Sequence, residues 1–127
     1  VFVAPNISVV TALMKDFVKK ISEIDKSFEI DISESHNKAK KDAPSGTAKD
    51  FARMLQLNTN KIEFDRTDED KNSHIIRFSN KFESLKLRHD TLNRCIYAQG
   101  ALNIAKWFYQ KPKNLYHMQT LIKEIYE

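Results

Sequence analysis

Residues 35–55 read SHNKAKKDAPSGTAKDFARML, and this stretch decides the fold. One of the chain's two glycines, Gly46, falls here, at Pro44-Ser45-Gly46-Thr47. His36 and three lysines, Lys38, Lys40 and Lys41, come just before it. Upstream, SFEIDISE at 27–34 alternates Phe28, Ile30 and Ile32 with Glu29 and Asp31. That is the period of a half-buried strand. Downstream, Ala48, Phe51, Ala52 and Leu55 recur at helical spacing, with Pro44 suited to the first helical turn. The stretch therefore reads as a strand, a polar run from Ser35 to Asp42, and a helix. It places His36 where the strand leads into a loop.

Working outward, SVVTALMKDFVKKISEI at 8–24 carries Val9, Leu13, Phe17 and Ile21 on one helical stripe, capped by Asn6 or Ser8. Residues 61–64 read as a short strand and 66–72 as a charged loop. SHIIRFS at 73–79 and FESLKLRH at 82–89 predict a tight hairpin across Asn80-Lys81. A helix follows over 91–110, with Ile96, Ala101, Ile104, Ala105 and Phe108 on one face and Pro112 as its stop. A last short helix covers 117–126. The sum is an α+β fold, a mixed sheet of about four strands with helices packed on one face.

The 127 residues fit one domain with a core of its own. A hydrophobic share of 41% and a charged share of 30% match an ordinary globular chain. No apolar run approaches the roughly 20 residues that span a bilayer, so no membrane partner is expected. The opening VFVAPNISVV lacks a basic segment and a cleavage site, so no signal peptide is read. The first residue is not Met, which suggests a piece of a longer chain. Cys95 stands alone and reads as a buried structural residue in a reducing, cytoplasmic setting. The net charge of +4 is mildly basic. It suits a lysine-rich surface or an anionic substrate. The aromatics Trp107, Phe108, Tyr109 and Tyr116 sit at helical rather than strand spacing, which argues against a base-stacking platform and a nucleic-acid partner.

The first N–H groups of a helix are unpaired and carry partial positive charge. At Ser45, Gly46 and Thr47 they would form a cradle for a carboxylate or phosphate, and Gly46 admits close approach. Nearby lysines add charge, and His36 could exchange a proton near neutral pH. The same residues also read as an ordinary helix cap after a solvated lysine loop. The histidines at 36, 74, 89 and 117 show no close ligand spacing, so no metal is expected. Neither GxGxxG nor GxxxxGK occurs, so the chain holds no nucleotide cradle of its own.

ESHNKAKKDAPSGTA at 34–48 resembles the signature of the dihydrodipicolinate reductase family, roughly E-x-H-H-x-x-K-x-D-A-P-S-G-T-A. VFVAPNISV at 1–9, FESLKLRHDTLNRCIYAQGALNIAKWF at 82–108 and KNLYHMQTLI at 113–122 resemble further family segments. The resemblance implies an NADPH- or NADH-dependent reductase of a cyclic imine dicarboxylate on the diaminopimelate route to lysine. It implies a Rossmann domain elsewhere, with this chain as the substrate-binding and oligomerisation domain and 92–127 as closing helices packed on that absent domain. It casts His36 and Lys40 as catalytic, and Asn37, Ser45, Gly46 and Thr47 as substrate-binding. It sets Pro5, Asn6 and Ile7 beside the cofactor. Two departures stand out. Asn37 replaces the family's second histidine, and a long glycine- and arginine-rich excursion between Ile62 and His74 is reduced to DRTDEDKNSH. The second departure weakens the expected homo-tetramer and makes a dimer plausible. A non-catalytic dicarboxylate-binding or assembly remnant is the alternative reading.

Overall fold

The computed structural model describes residues 1–126. The backbone divides into two compact units. One comprises residues 1–16 and 93 onward, the other residues 17–92.

The 17–92 unit carries a four-stranded mixed sheet. Its strands are β2 (Glu29–Asn37), β3 (Glu63–Thr67), β4 (Asn72–Ser79) and β5 (Ser84–Thr91), in the order β3-β2-β4-β5. β2 runs parallel to β3 and antiparallel to β4, and β5 is antiparallel to β4. Between β2 and β3 the chain passes through helix α2 (Gly46–Met54), the kind of crossover a parallel pair requires. α2 begins at Ser45, whose hydroxyl accepts from the Ala48 N–H at 3.2 Å. It ends with Gln56 at φ 57°, where the Leu57 N–H bonds the Ala52 carbonyl at 2.8 Å and the Gln56 N–H bonds Arg53. Both bonds satisfy carbonyls that the helix end leaves open. α2 buries Ala48, Phe51 and Ala52 completely.

Helix α1 (Val9–Ile24) begins in the first unit and ends in the second. Ser8 rather than Asn6 caps it, accepting from the Thr11 N–H at 3.3 Å. In the first unit, β1 (Phe2–Val3) pairs in parallel with β6 (Tyr116–His117). Helices α3 (Cys95–Phe108) and α4 (Met118–Tyr126) complete it. Ala12, Ile104, Met118, Leu121 and Ile122 form its core. Gly100 lies so close to Ile7 that an added Cβ would stand 2.2 Å from the Ile7 carbonyl oxygen, so a side chain there displaces backbone.

The α+β architecture and the four-stranded mixed sheet are as expected. Several details differ. The buried face of α1 runs through Thr11, Ala12 and Val18, whereas Leu13 and Phe17 are exposed. The hairpin loop has four residues, because the Asn80 side chain accepts from the Phe82 and Glu83 N–H groups and holds a wider turn. Pro44 lies ahead of α2 instead of in its first turn. Cys95 is exposed at the start of α3, where the helix has no turn above it to cover the thiol. β2 starts later than expected, where its pairing with β4 begins at Glu29 opposite Ser79, and ends later, because pairing with β3 continues through Asn37 opposite Thr67. His36 therefore lies within the strand and not in a loop.

Candidate active site

On β2 the inward positions are Ile30, Ile32, Glu34 and His36. Their partners on β4 are Phe78 opposite Ile30, Ile76 opposite Ile32 and His74 opposite Glu34. One face thus changes along its length from apolar to ionisable. The Glu34 and His74 side chains are as buried as Ile32, at 0% and 5% exposure, and more so than Ile30.

Glu34 is the hub of the polar end. Its Oε1 accepts from the Ser45 N–H at 2.9 Å and from Arg66 Nη2 at 3.4 Å. Its Oε2 accepts from the Ser45 hydroxyl and lies 3.3 Å from His74 Nε2. Burial works against its charge, but the hydrogen bonds from His74 and from the Ser45 hydroxyl and N–H outweigh it, and the pKa falls to about 2. His74 Nε2 also lies 3.1 Å from the Ser45 hydroxyl. The rings of His36 and His74 meet edge to face with centroids 5.1 Å apart.

His36 is 4% exposed and its Nδ1 has no hydrogen-bond partner among the described residues. Burial is the main reason its pKa drops to about 4. The Glu34 carboxylate pulls the other way, while His74, Lys40 and Arg66 add to the fall. At neutral pH the ring is therefore uncharged and carries a free lone pair. Arg66, opposite His36 on β3, ties the loop down by donating to the Asp42 carbonyl at 2.7 Å.

Lys40 Nζ pairs with the Asp42 carboxylate at 2.9 Å. That contact, chiefly, holds Asp42 below its usual range, with a smaller contribution from the Gly46 backbone. Lys40, Asp42 and the exposed Gly46 thus share one corner at the start of α2. Lys38 pairs instead with Asp68, in the open, at 2.8 Å. Asn37 uses its amide on the Ala39 N–H and on the carbonyls of Asp68 and Glu69. The hydroxyl and N–H of Ser45 both face Glu34, so Ser45 shapes the helix entrance from within. Gly46 and Thr47 follow it as the first residues of α2.

The 17–92 unit therefore brings together His36, Lys40, Ser45, Gly46 and Thr47. Pro5, Asn6 and Ile7 belong to the other unit, between β1 and α1, where Asn6 Oδ1 accepts from the Ser8 N–H at 2.9 Å. Glu34, Arg66 and His74 were given no role on sequence grounds. A carboxylate on an alternating strand reads as solvent-facing. Only extending the Ile30, Ile32 alternation through 34 and 36 would have turned it inward.

Residues 7–122 match the family model described as dihydrodipicolinate reductase, C-terminus. The chain belongs to that family. A 4-hydroxy-tetrahydrodipicolinate reductase of Buchnera aphidicola is 32% identical over 96% of this chain and 54% of its own length. One of Rickettsia bellii is 31% identical over 94% of this chain and 55% of its own. The chain thus spans about half the length of the curated relatives it matches. Among solved structures, a dipicolinate-bound dihydrodipicolinate reductase of Paenisporosarcina sp. TG-14 superposes with a TM-score of 0.75. It is 23% identical, over 98% of this chain and 54% of that one, and establishes the fold. Among the described residues no helix is long and apolar enough to cross a membrane.

Proposed function

We propose that this chain is the substrate-binding and proton-donating part of an NAD(P)H-dependent reductase acting on the cyclic imine 4-hydroxy-tetrahydrodipicolinate. One observation carries the reading. The family's motif folds into a helix entrance where exposed Gly46 and the Lys40 ammonium meet beside a neutral, buried imidazole, with Thr47 buried in the first helical turn. Such a corner receives a carboxylate through charge-assisted hydrogen bonds. The Asp42 carboxylate already pairs with Lys40 there, so a ligand carboxylate has to share or displace it. When bound, the nicotinamide supplies hydride, and the residues near it are Pro5, Asn6 and Ile7 on this reading. On this reading the rest of its binding falls to another domain, in keeping with a sequence that carries no glycine-rich phosphate loop.

Within this scheme Lys40 is the proton donor. A neutral His36 cannot be the resting acid at pH 7; it serves at most as a relay that passes the proton Lys40 gives up on to the substrate. Ser45 is a positioning residue held by Glu34. Asn37, fully used on backbone groups, holds the shortened 68–69 loop against β2 and contacts substrate only if that loop moves. With Asn37 turned from substrate to the loop, the other reading is a non-catalytic dicarboxylate-binding or assembly remnant of the family, as a homodimer or tetramer.

Calorimetric titration with pyridine-2,6-dicarboxylate tests the proposal. Hydrogen bonds to charged groups contribute roughly 1.5–3 kcal/mol, so Lys40→Ala and Thr47→Val should each weaken binding about tenfold or more. Binding that ignores both substitutions places the ligand elsewhere. Joined to a nucleotide domain, Lys40→Ala should lower kcat far more than it changes KM for the cofactor. A protein that binds the dianion but shows no turnover favours the assembly reading.

A further inference from the structure

The inward carboxylate and the two imidazoles beside it have a donor chemistry that proton transfer does not use up. Glu34 Oε2 lies 3.3 Å from His74 Nε2 and 3.6 Å from His36 Nδ1. All three atoms fall within 4.8 Å of one another. Around a tetrahedral zinc ion, with bonds of about 2.0–2.1 Å, neighbouring donor atoms stand roughly 3.3–3.4 Å apart. The two edges at Glu34 already have nearly that length, and the third closes by a turn of the imidazoles. A second observation is independent of these distances. His36 Nδ1 is buried and lacks a hydrogen-bond partner among the described residues. A buried polar atom without a partner is costly unless something meets it.

We propose that Glu34, His36 and His74 form a binding site for a single divalent transition-metal ion of the zinc type. Two imidazoles and one carboxylate suit zinc and its neighbours, whereas magnesium and calcium prefer all-oxygen sites. Support for the ligands is in place. Glu34 Oε1 is held by the Ser45 N–H and Arg66, and Oε2, which accepts from the Ser45 hydroxyl, is turned towards both rings. Partners of this kind orient metal ligands. His74 would carry its proton on Nδ1 to free Nε2. The fourth position falls to water, since the Ser45 hydroxyl already donates to Glu34 Oε2. The Arg66 guanidinium, next to Glu34, opposes a dication, so the ion binds more weakly than in closed structural zinc sites and exchanges freely. Its occupancy would take the lone pair that His36 otherwise offers to a proton. The site stands on these donors alone and does not depend on the reductase reading.

The test is titration of the chain with Zn2+ by calorimetry and with Co2+ by visible absorption. One ion per chain should bind saturably, with the intense ligand-field bands of low-coordinate Co2+. His74→Ala should weaken binding at least tenfold, whereas His117→Ala, at an exposed histidine of the other unit, should not. Should His74→Ala fail to fold, ring-nitrogen NMR of the unaltered chain decides. Zn2+ should then shift Nδ1 of His36 and Nε2 of His74, and leave the His117 ring unmoved. Absence of saturable binding, binding indifferent to His74→Ala, or shifts confined to other histidines would each overturn the proposal.

Discussion

The two ends of the inward face of β2 share a backbone and a pleat, yet they are held by different forces. At the Ile30–Ile32 end, the partners Phe78 and Ile76 are fully buried and Phe28 meets Phe78 edge to face at 6.0 Å. Stability there comes from removing apolar surface from water, and no single atom has to be in one place. At the Glu34–His36 end the same geometry buries a carboxylate and two imidazoles. Here a polar atom without a partner is costly; Ser45, Arg66 and His74 supply partners for Glu34, while His36 Nδ1 has none among the described residues. The apolar end tolerates error and has no chemistry. The polar end has chemistry because hydrogen bonds keep the buried Glu34 ionised and burial keeps His36 neutral.

Substitutions at the two ends should be similarly damaging for opposite reasons. Phe78→Ala leaves a cavity in a closed core and should cost about 3–5 kcal/mol in urea unfolding. Glu34→Ala leaves Arg66 and Ser45 facing a hole and should cost about 3–5 kcal/mol as well. Glu34→Leu sharpens the contrast, since filling the hole without a carboxylate still leaves Arg66 and the Ser45 N–H unpaired and should stay destabilising, whereas replacing Glu34 and Arg66 together by apolar residues is often nearly neutral. If Glu34→Leu is nearly as stable as the parent yet fails to bind the dicarboxylate, the carboxylate serves the site and not the fold. A Glu34→Ala protein as stable as the parent would remove the hub role assigned here.

Acid separates the ends next. Glu34 has its pKa lowered from 4.5 to about 2, so the stability it contributes is present above pH 4.5 and is lost as pH falls towards 2. His36 goes from 6.5 to about 4, so the unfolded chain takes up its proton first and stability falls between pH 6.5 and 4. At ~1.4 kcal/mol per pH unit of displacement, each contributes up to about 3 kcal/mol. Unfolding free energies measured from pH 7 to 3 should therefore drop in two overlapping steps. Glu34→Leu should erase the lower one, and Phe78→Ala should shift the whole curve without changing its shape. A parent whose stability is flat from pH 7 to 4.5 would refute the neutral, buried state of His36.

The same contrast explains what could be read from the sequence. The strand, the α2 helix and the hairpin announce themselves through Ile30, Ile32, Phe51, Ile76 and Phe78, because apolar periodicity and burial coincide there. The helix entrance at Ser45-Gly46-Thr47 was legible from turn and capping chemistry, and His36 and Lys40 from the motif. Glu34 and His74 were not legible. They are 40 residues apart in the sequence and meet through the register that pairs them across β2 and β4, a non-local fact. The late end of β2 was hidden for the same reason, since its pairing with β3 depends on a crossover through α2. The rotated face of α1 escaped because Val9, Leu13 and Phe17 are apolar without being deeply buried. Cys95 was misplaced because a helical stretch hides where its first turn begins.

The smallest effect belongs to the outward face of the same strands. Arg77 and Asp31 stand directly opposite across β2 and β4, and the Arg77 Nε donates to Asp31 Oδ2 at 3.0 Å. In geometry this pair is better than Arg66 with Glu34, whose closest approach is 3.4 Å. Yet both outward side chains are half exposed, and water and salt screen them. Arg77→Ala should leave the urea midpoint within measurement error at physiological salt, whereas Arg66→Ala should lower it clearly, because it strips a donor from a carboxylate that water cannot reach. Equal losses for the two would mean that short contacts, and not burial, set the strength of ionic pairs in this sheet. The polar end of β2 would then have no special claim to be the site.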